Sequence, residues 1–120
     1  MFSWYVWTAS KFYNSNSNLK AADQKISFTK EQLEEYVKCA EDPVYFIANY
    51  VKIVNVDRGL VPFDMWDFQK NMVEEFHNNR FTICKMPRQV GKTTTAVGYM
   101  LWCALFQEEF VIGILANKLQ

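Results

Sequence analysis

The chain has 120 residues, half of them hydrophobic and 17% aromatic, so it has the material for the core of one domain and no more. Such a composition excludes a disordered tail. Its 13 basic and 13 acidic residues cancel, which excludes a surface that is basic throughout, although a local basic patch remains compatible with it.

The first nine residues are apolar and aromatic, lack a charged leader and are too short to span a bilayer, so no targeting or membrane signal is read there. Asn14-Ser15-Asn16-Ser17-Asn18 is a polar linker, and residues 1–28 are expected to form a poorly ordered extension to a domain occupying 29–120. Thr29-Lys30-Glu31-Gln32 has capping-box spacing, and Leu33, Tyr36, Val37 and Ala40 follow on one face of a helix ending near Glu41. Asp42-Pro43 starts a second helix, continued by Val44, Ile47, Ala48 and Val51. Asn55 to Gly59 is a polar turn, and Pro62 keeps Leu60 to Phe63 extended. Asp64 is placed to cap a third helix with the stripe Met65, Phe68, Met72 and Phe76, closed by Asn78-Asn79.

The informative stretch follows. Phe81 to Met86 has the composition of a short buried strand, Pro87-Arg88-Gln89-Val90 interrupts it, and Gly91-Lys92-Thr93-Thr94 opens an apolar helix reaching about Gln107. That helix is apolar nearly all round and is expected to be covered on more than one side. Phe110 to Ala116 reads as a second buried strand. Together they predict a right-handed strand–helix–strand unit of a parallel α/β sheet, a P-loop NTPase fold preceded by a helical segment, with the sheet truncated after two strands.

A strand running through a loop into Gly-Lys-Thr is the arrangement that binds a polyphosphate. Helix-start N–H groups have no carbonyl partners, and the helix dipole adds partial positive charge. Gly91 allows close backbone approach, Lys92 reaches the β and γ phosphates, and the Thr93 hydroxyl is placed to ligate Mg²⁺. The general pattern G-x-x-x-x-G-K-[ST] is broken at its first glycine, where Met86 stands. The three cysteines, Cys39, Cys84 and Cys103, form no C-x-x-C pair, and His77 is the single histidine, which points away from zinc and disulfides. Cys84 and Cys103 read as buried small hydrophobes, His77 as a helix-end residue facing water, and Trp4, Trp7, Trp66 and Trp102 as core.

Three motifs in order carry a family resemblance: Asp67-Phe68-Gln69-Lys70-Asn71-Met72, Cys84-Lys85-Met86-Pro87-Arg88-Gln89-Val90-Gly91-Lys92-Thr93-Thr94, and Gly113-Ile114-Leu115-Ala116-Asn117-Lys118. From Asn14 to Gln120 the chain resembles the N-terminal part of the large terminase subunit of tailed bacteriophages, the DNA-packaging motor ATPase, whose members also lack the first loop glycine. The resemblance implies ATP and Mg²⁺ as ligands. It places the ATP site on Gln69 and on Pro87, Arg88, Gln89, Val90, Gly91, Lys92, Thr93 and Thr94.

Gln69 matches a glutamine that recognises adenine, for which an amide that both donates and accepts is suited. Arg88 matches a loop arginine used on the γ-phosphoryl group, which together with Lys92 makes it a catalytic candidate; a ground-state phosphate contact and a surface ion pair are its alternatives. Phe68 is expected in the third helix's core stripe. Lys118 is read as solvated. The implied partners are double-stranded DNA, the portal protein and the small terminase subunit, in an oligomeric ring in the host cytoplasm. No apolar strand ending in Asp-Glu follows the loop, so the acidic half of the active site is expected outside this chain, along with a nuclease domain, and the chain alone is expected to bind nucleotide without turnover. A superfamily-two-type helicase or translocase, and a nucleotide-binding remnant without turnover, are the alternatives.

Overall fold

The computed structural model describes residues 27–115 continuously, with Asn14, Asn16, Asn18, Leu19, Ala21 and Lys25 before them. The expectations for Met1–Ala9, for Trp4 and Trp7, and for Ala116, Asn117 and Lys118 lie outside the described residues. The chain divides into two compact units, Met1–Lys30 and Glu31–Gln120. In the first, Asn16 Oδ1 accepts from the Asn18 amide at 3.0 Å and the Asn16 carbonyl from the Leu19 amide at 3.0 Å, a local polar turn.

In the second unit the order is α1 (Lys30–Glu41), α2 (Pro43–Tyr50), β1 (Lys52–Asn55), β2 (Gly59–Pro62), α3 (Asp67–Asn78) and α4 (Lys92–Phe106). The start of α2 follows from its chemistry: Asp42, extended at φ −130°, accepts from the Val44 and Tyr45 amides at 2.8 and 3.2 Å, and Pro43 occupies the first turn, where a missing N–H costs nothing. The turn between the strands is held by Asn55 Oδ1, which accepts from the Asp57 and Arg58 amides, and is closed by Gly59 at φ 71°. β1 and β2 pair antiparallel, with Ile53 opposite Val61 and Lys52 opposite Pro62. Pro62 ends its strand, where no further ladder donor is needed.

Helices α2, α3 and α4 pack pairwise, and the hairpin rests on α2. Their shared core is Cys39, Phe46, Ile47, Phe63, Met65, Val73, Trp102 and Cys103. The Trp102 indole N–H is satisfied by the Cys39 carbonyl at 2.8 Å, which ties α4 to the end of α1. α4 packs against α2 at Gly98, where a Cβ would lie in ordinary contact, 3.6 Å from three Ile47 carbons.

This architecture corrects the fold class read from the sequence. Among the described residues the sheet is a two-stranded antiparallel hairpin, not a parallel strand–helix–strand unit. Residues 81–87 and 110–115 are irregular, and Ile83, Val111 and Leu115 are 98%, 92% and 100% exposed. Apolar, β-branched composition favours a strand only where a neighbour completes its ladder and something covers its faces, and among the described residues no strand pairs with either segment.

Three smaller expectations change as well. Leu33, Tyr36 and Val37 on α1 are exposed while Cys39 is buried. α4 buries one face through Thr95, Gly98, Trp102 and Cys103, leaving Val97, Leu101 and Leu105 exposed, so it is not covered on several sides. Cys84 is exposed, whereas Cys39 and Cys103 are buried and have their thiol pKa raised, first of all by desolvation.

Candidate functional site

Helix α3 begins later than Asp64 suggests, at Asp67 with Trp66 as its N-cap. Met65 is buried and Trp66 is extended at ψ 157°, so the chain enters the helix only once Met65 has reached the core. The cap is supplied from inside the helix: Gln69 Oε1 accepts from the Trp66 backbone N–H at 2.9 Å, the glutamine half of a capping box. The other end of the same amide reaches out of α3, and Gln69 Nε2 donates to the Val90 carbonyl at 3.1 Å. Gln69 is only 4% exposed. Its side chain therefore joins the start of α3 to the loop before α4.

That loop has a strained backbone. Gln89 takes φ 62°, uncommon for a residue with a Cβ, and Gly91, the N-cap of α4, takes φ 72° and ψ 19°. Gly91 is required twice over: left-handed φ suits glycine, and a Cβ there would fall 2.6 Å from Gln69 Nε2. The Gly91 carbonyl accepts from the backbone N–H of buried Thr95 at 3.0 Å and from its hydroxyl at 2.9 Å, fixing the first turn of α4. Lys92, Thr93 and Thr94 project from that turn and are exposed, as are Pro87 and Arg88. Among the described residues neither Arg88 nor Lys92 forms an ion pair.

Beside this loop lies a cleft of about 470 Å³. It gathers five of the residues singled out from the sequence, Gln69, Gln89, Val90, Gly91 and Thr94, while Pro87, Arg88, Lys92 and Thr93 stand outside its lining. The remaining walls come from residues the sequence reading did not place in the site: Ile53 and Phe63 at the hairpin, then Asp64, Trp66 and Phe68.

Phe68 reverses its expected place. It is 40% exposed on the cleft, and its neighbour Gln69 is the buried one, in line with Met72 and Val73. Continuing the α3 stripe back by one turn reaches both Phe68 and Gln69, so spacing alone does not separate them. The capping-box position of Gln69, three residues after Trp66, is the signal that does. Trp66, read as core, is 72% exposed at the rim, whereas Trp102 is buried as expected. His77 is exposed and packs edge-on against Trp102, with ring centroids 5.2 Å apart.

The residues present fit a nucleotide with its Mg²⁺. The helix start offers N–H groups that have no carbonyl partner within the helix, Gly91 keeps the approach free of a Cβ, Lys92 supplies an exposed cation that forms no ion pair among the described residues, and Thr93 carries an exposed hydroxyl one residue into α4. No protein-family model matches the chain. Among the described residues no helix is long and apolar enough to cross a membrane.

Proposed function

We propose that the chain binds ATP with Mg²⁺ at the start of α4, as part of a DNA-packaging ATPase of the large-terminase type. The observation that carries the reading is the Gln69–Val90 hydrogen bond. It couples the glutamine of the first motif to the Gly-Lys-Thr loop of the second, and Gly91 stands where any side chain would break that coupling. Lys92 would hold the β and γ phosphates, the Thr93 hydroxyl would be the protein's ligand to Mg²⁺, and Arg88 would meet the γ-phosphoryl oxygens. Mg²⁺ held there would supply neutralisation of charge on the phosphates.

The base would lie in the cleft whose lining includes Phe68 and Trp66. Gln69 keeps one amide hydrogen and one lone pair beyond the two bonds it makes, enough for an adenine edge. Double-stranded DNA, the portal protein and the small terminase subunit are the partners this reading assigns, in a ring in the host cytoplasm, with hydrolysis belonging to the full-length protein.

Calorimetric titration with Mg-ATP tests the site. Lys92→Ala is expected to weaken binding by about 10- to 100-fold, the ~1.5–3 kcal/mol of a hydrogen bond to a charged group. Unchanged affinity in a folded Lys92→Ala protein overturns the assignment. In a defined packaging reaction with the full-length gene product, the same substitution is expected to abolish DNA uptake into procapsids, and packaging at the wild-type rate refutes the motor reading.

A further inference from the structure

Away from the loop, a groove of about 300 Å³ opens between α1, α2 and the end of α4. Four rings follow one another along it: Tyr36 to Phe106 at 5.2 Å between centroids, Phe106 to Phe46 at 5.3 Å, and Phe46 to Tyr50 at 6.0 Å. Phe46 is buried, while Tyr36 and Tyr50 are 56% and 50% exposed, so the outer rings present surface to a ligand.

Among them stands a carboxylate. Glu35 Oε1 accepts from the Tyr45 hydroxyl at 2.7 Å and from the Tyr50 hydroxyl at 2.9 Å, which fills that oxygen and fixes the group's orientation. Oε2 meets Lys38 Nζ at 3.7 Å, too long for a hydrogen bond, and the Lys38 side chain is 62% exposed. An anion set among aromatic rings, whose second oxygen is held only by a 3.7 Å ion pair to a largely exposed lysine, is complementary to a cation that prefers stacking to hydration and can displace that lysine.

We infer that this groove receives an arginine side chain of a partner protein, its guanidinium packed among the rings and donating to Glu35 Oε2. A guanidinium is planar, weakly hydrated and bonds a carboxylate while stacking, so it satisfies both features of the groove at once; an alkyl chain would satisfy only the rings and leave the carboxylate desolvated. The inference does not depend on the nucleotide reading, because no residue lines both the groove and the cleft beside Gly91.

The probe is N-acetyl-arginine amide, titrated into the full chain while the ring-proton resonances of Tyr36 and Tyr50 are followed by NMR. A saturable shift is expected, and none with the neutral isostere N-acetyl-citrulline amide. Glu35→Gln is expected to weaken binding by about tenfold or more, as loss of a charge-assisted bond requires. Tyr36→Leu weakens it through the ring alone and leaves Glu35 in place, which keeps the test decisive if Glu35→Gln unfolds. Lys38→Ala strengthens it by removing the competing cation. Equal binding of the citrulline compound, unchanged affinity in both Glu35→Gln and Tyr36→Leu, or a wild-type chain that fails to respond because its own lysines already fill the groove each overturns the inference.

Discussion

Replacing Gly91 by alanine tests whether the loop geometry rests on glycine. A Cβ at φ 72° occupies left-handed backbone, which costs an L-residue about 1–2 kcal/mol. The same atom would sit 2.6 Å from Gln69 Nε2, so the amide must swing away and its bond to the Val90 carbonyl is lost, a further ~0.5–1.5 kcal/mol. The expected destabilisation is about 2–3 kcal/mol, measured by urea unfolding followed by circular dichroism. A double-mutant cycle isolates the mechanism. Gln69→Ala alone leaves the Trp66 N–H and the Val90 carbonyl without their partner, at about 1–3 kcal/mol. Once Gln69 is gone the Gly91→Ala methyl meets nothing, so the double variant should be about 1 kcal/mol more stable than the sum of the singles. Additivity within ~0.5 kcal/mol, or a Gly91→Ala protein as stable as wild type, refutes the contact.

Gly98 makes the opposite case: its added methyl would lie in ordinary contact with Ile47 at 3.6 Å, so Gly98→Ala is expected to stabilise by about 0.5–1 kcal/mol through helix propensity, and destabilisation in the same unfolding assay argues against the α2–α4 packing. Tyr50 is pushed up to about 12, first by its hydrogen bond to Glu35, and Tyr99 to about 12, first by burial, so both should ionise late in an alkaline titration read by tyrosinate absorbance. A raised pKa means these groups favour the folded state below the ordinary tyrosine value of 10, and that contribution is lost as pH climbs from about 10 to about 12. Glu35→Gln should return Tyr50, but not Tyr99, towards 10. Thiol labelling of the native protein should modify Cys84 rapidly and Cys39 and Cys103 only on unfolding; rapid modification of either buried thiol contradicts the core.

Much of the helical framework was legible because its signals are local. Asp42-Pro43 begins α2 and Gly91-Lys92-Thr93 begins α4 where the residue types require, and Asn55 to Gly59 turns the chain as a polar turn with a terminal glycine should. Strand assignment failed because it is not local. Phe81 to Met86 and Phe110 to Leu115 have strand composition, yet a ladder depends on a neighbouring backbone that composition does not reveal. The strand that did form at Lys52–Asn55 was hidden by its mixed polarity, which is what an exposed hairpin allows. At the candidate site five of the nine residues named from the sequence line the cleft, but the pairing of Gln69 with Val90 was not legible, since a contact across 21 residues leaves no trace in spacing.

That pairing changes how any adenine role of Gln69 must be measured. The amide caps α3 and holds the loop, so Gln69→Ala would disturb the proposed phosphate site as well as any base contact, and a weaker affinity for ATP does not by itself locate the effect. Inorganic triphosphate separates the two, because on the proposed reading it would engage the α4 N-terminus and Lys92 without entering the base cleft. If Gln69 acts on the base, the substitution weakens ATP and spares triphosphate; if it acts through Val90, both weaken by the same factor. An amide with one bond to each element and one donor and one acceptor position still open predicts the intermediate result, a loss for triphosphate and a larger loss for ATP. Equal losses for the two ligands would remove Gln69 from base recognition and leave it as the residue that positions the loop.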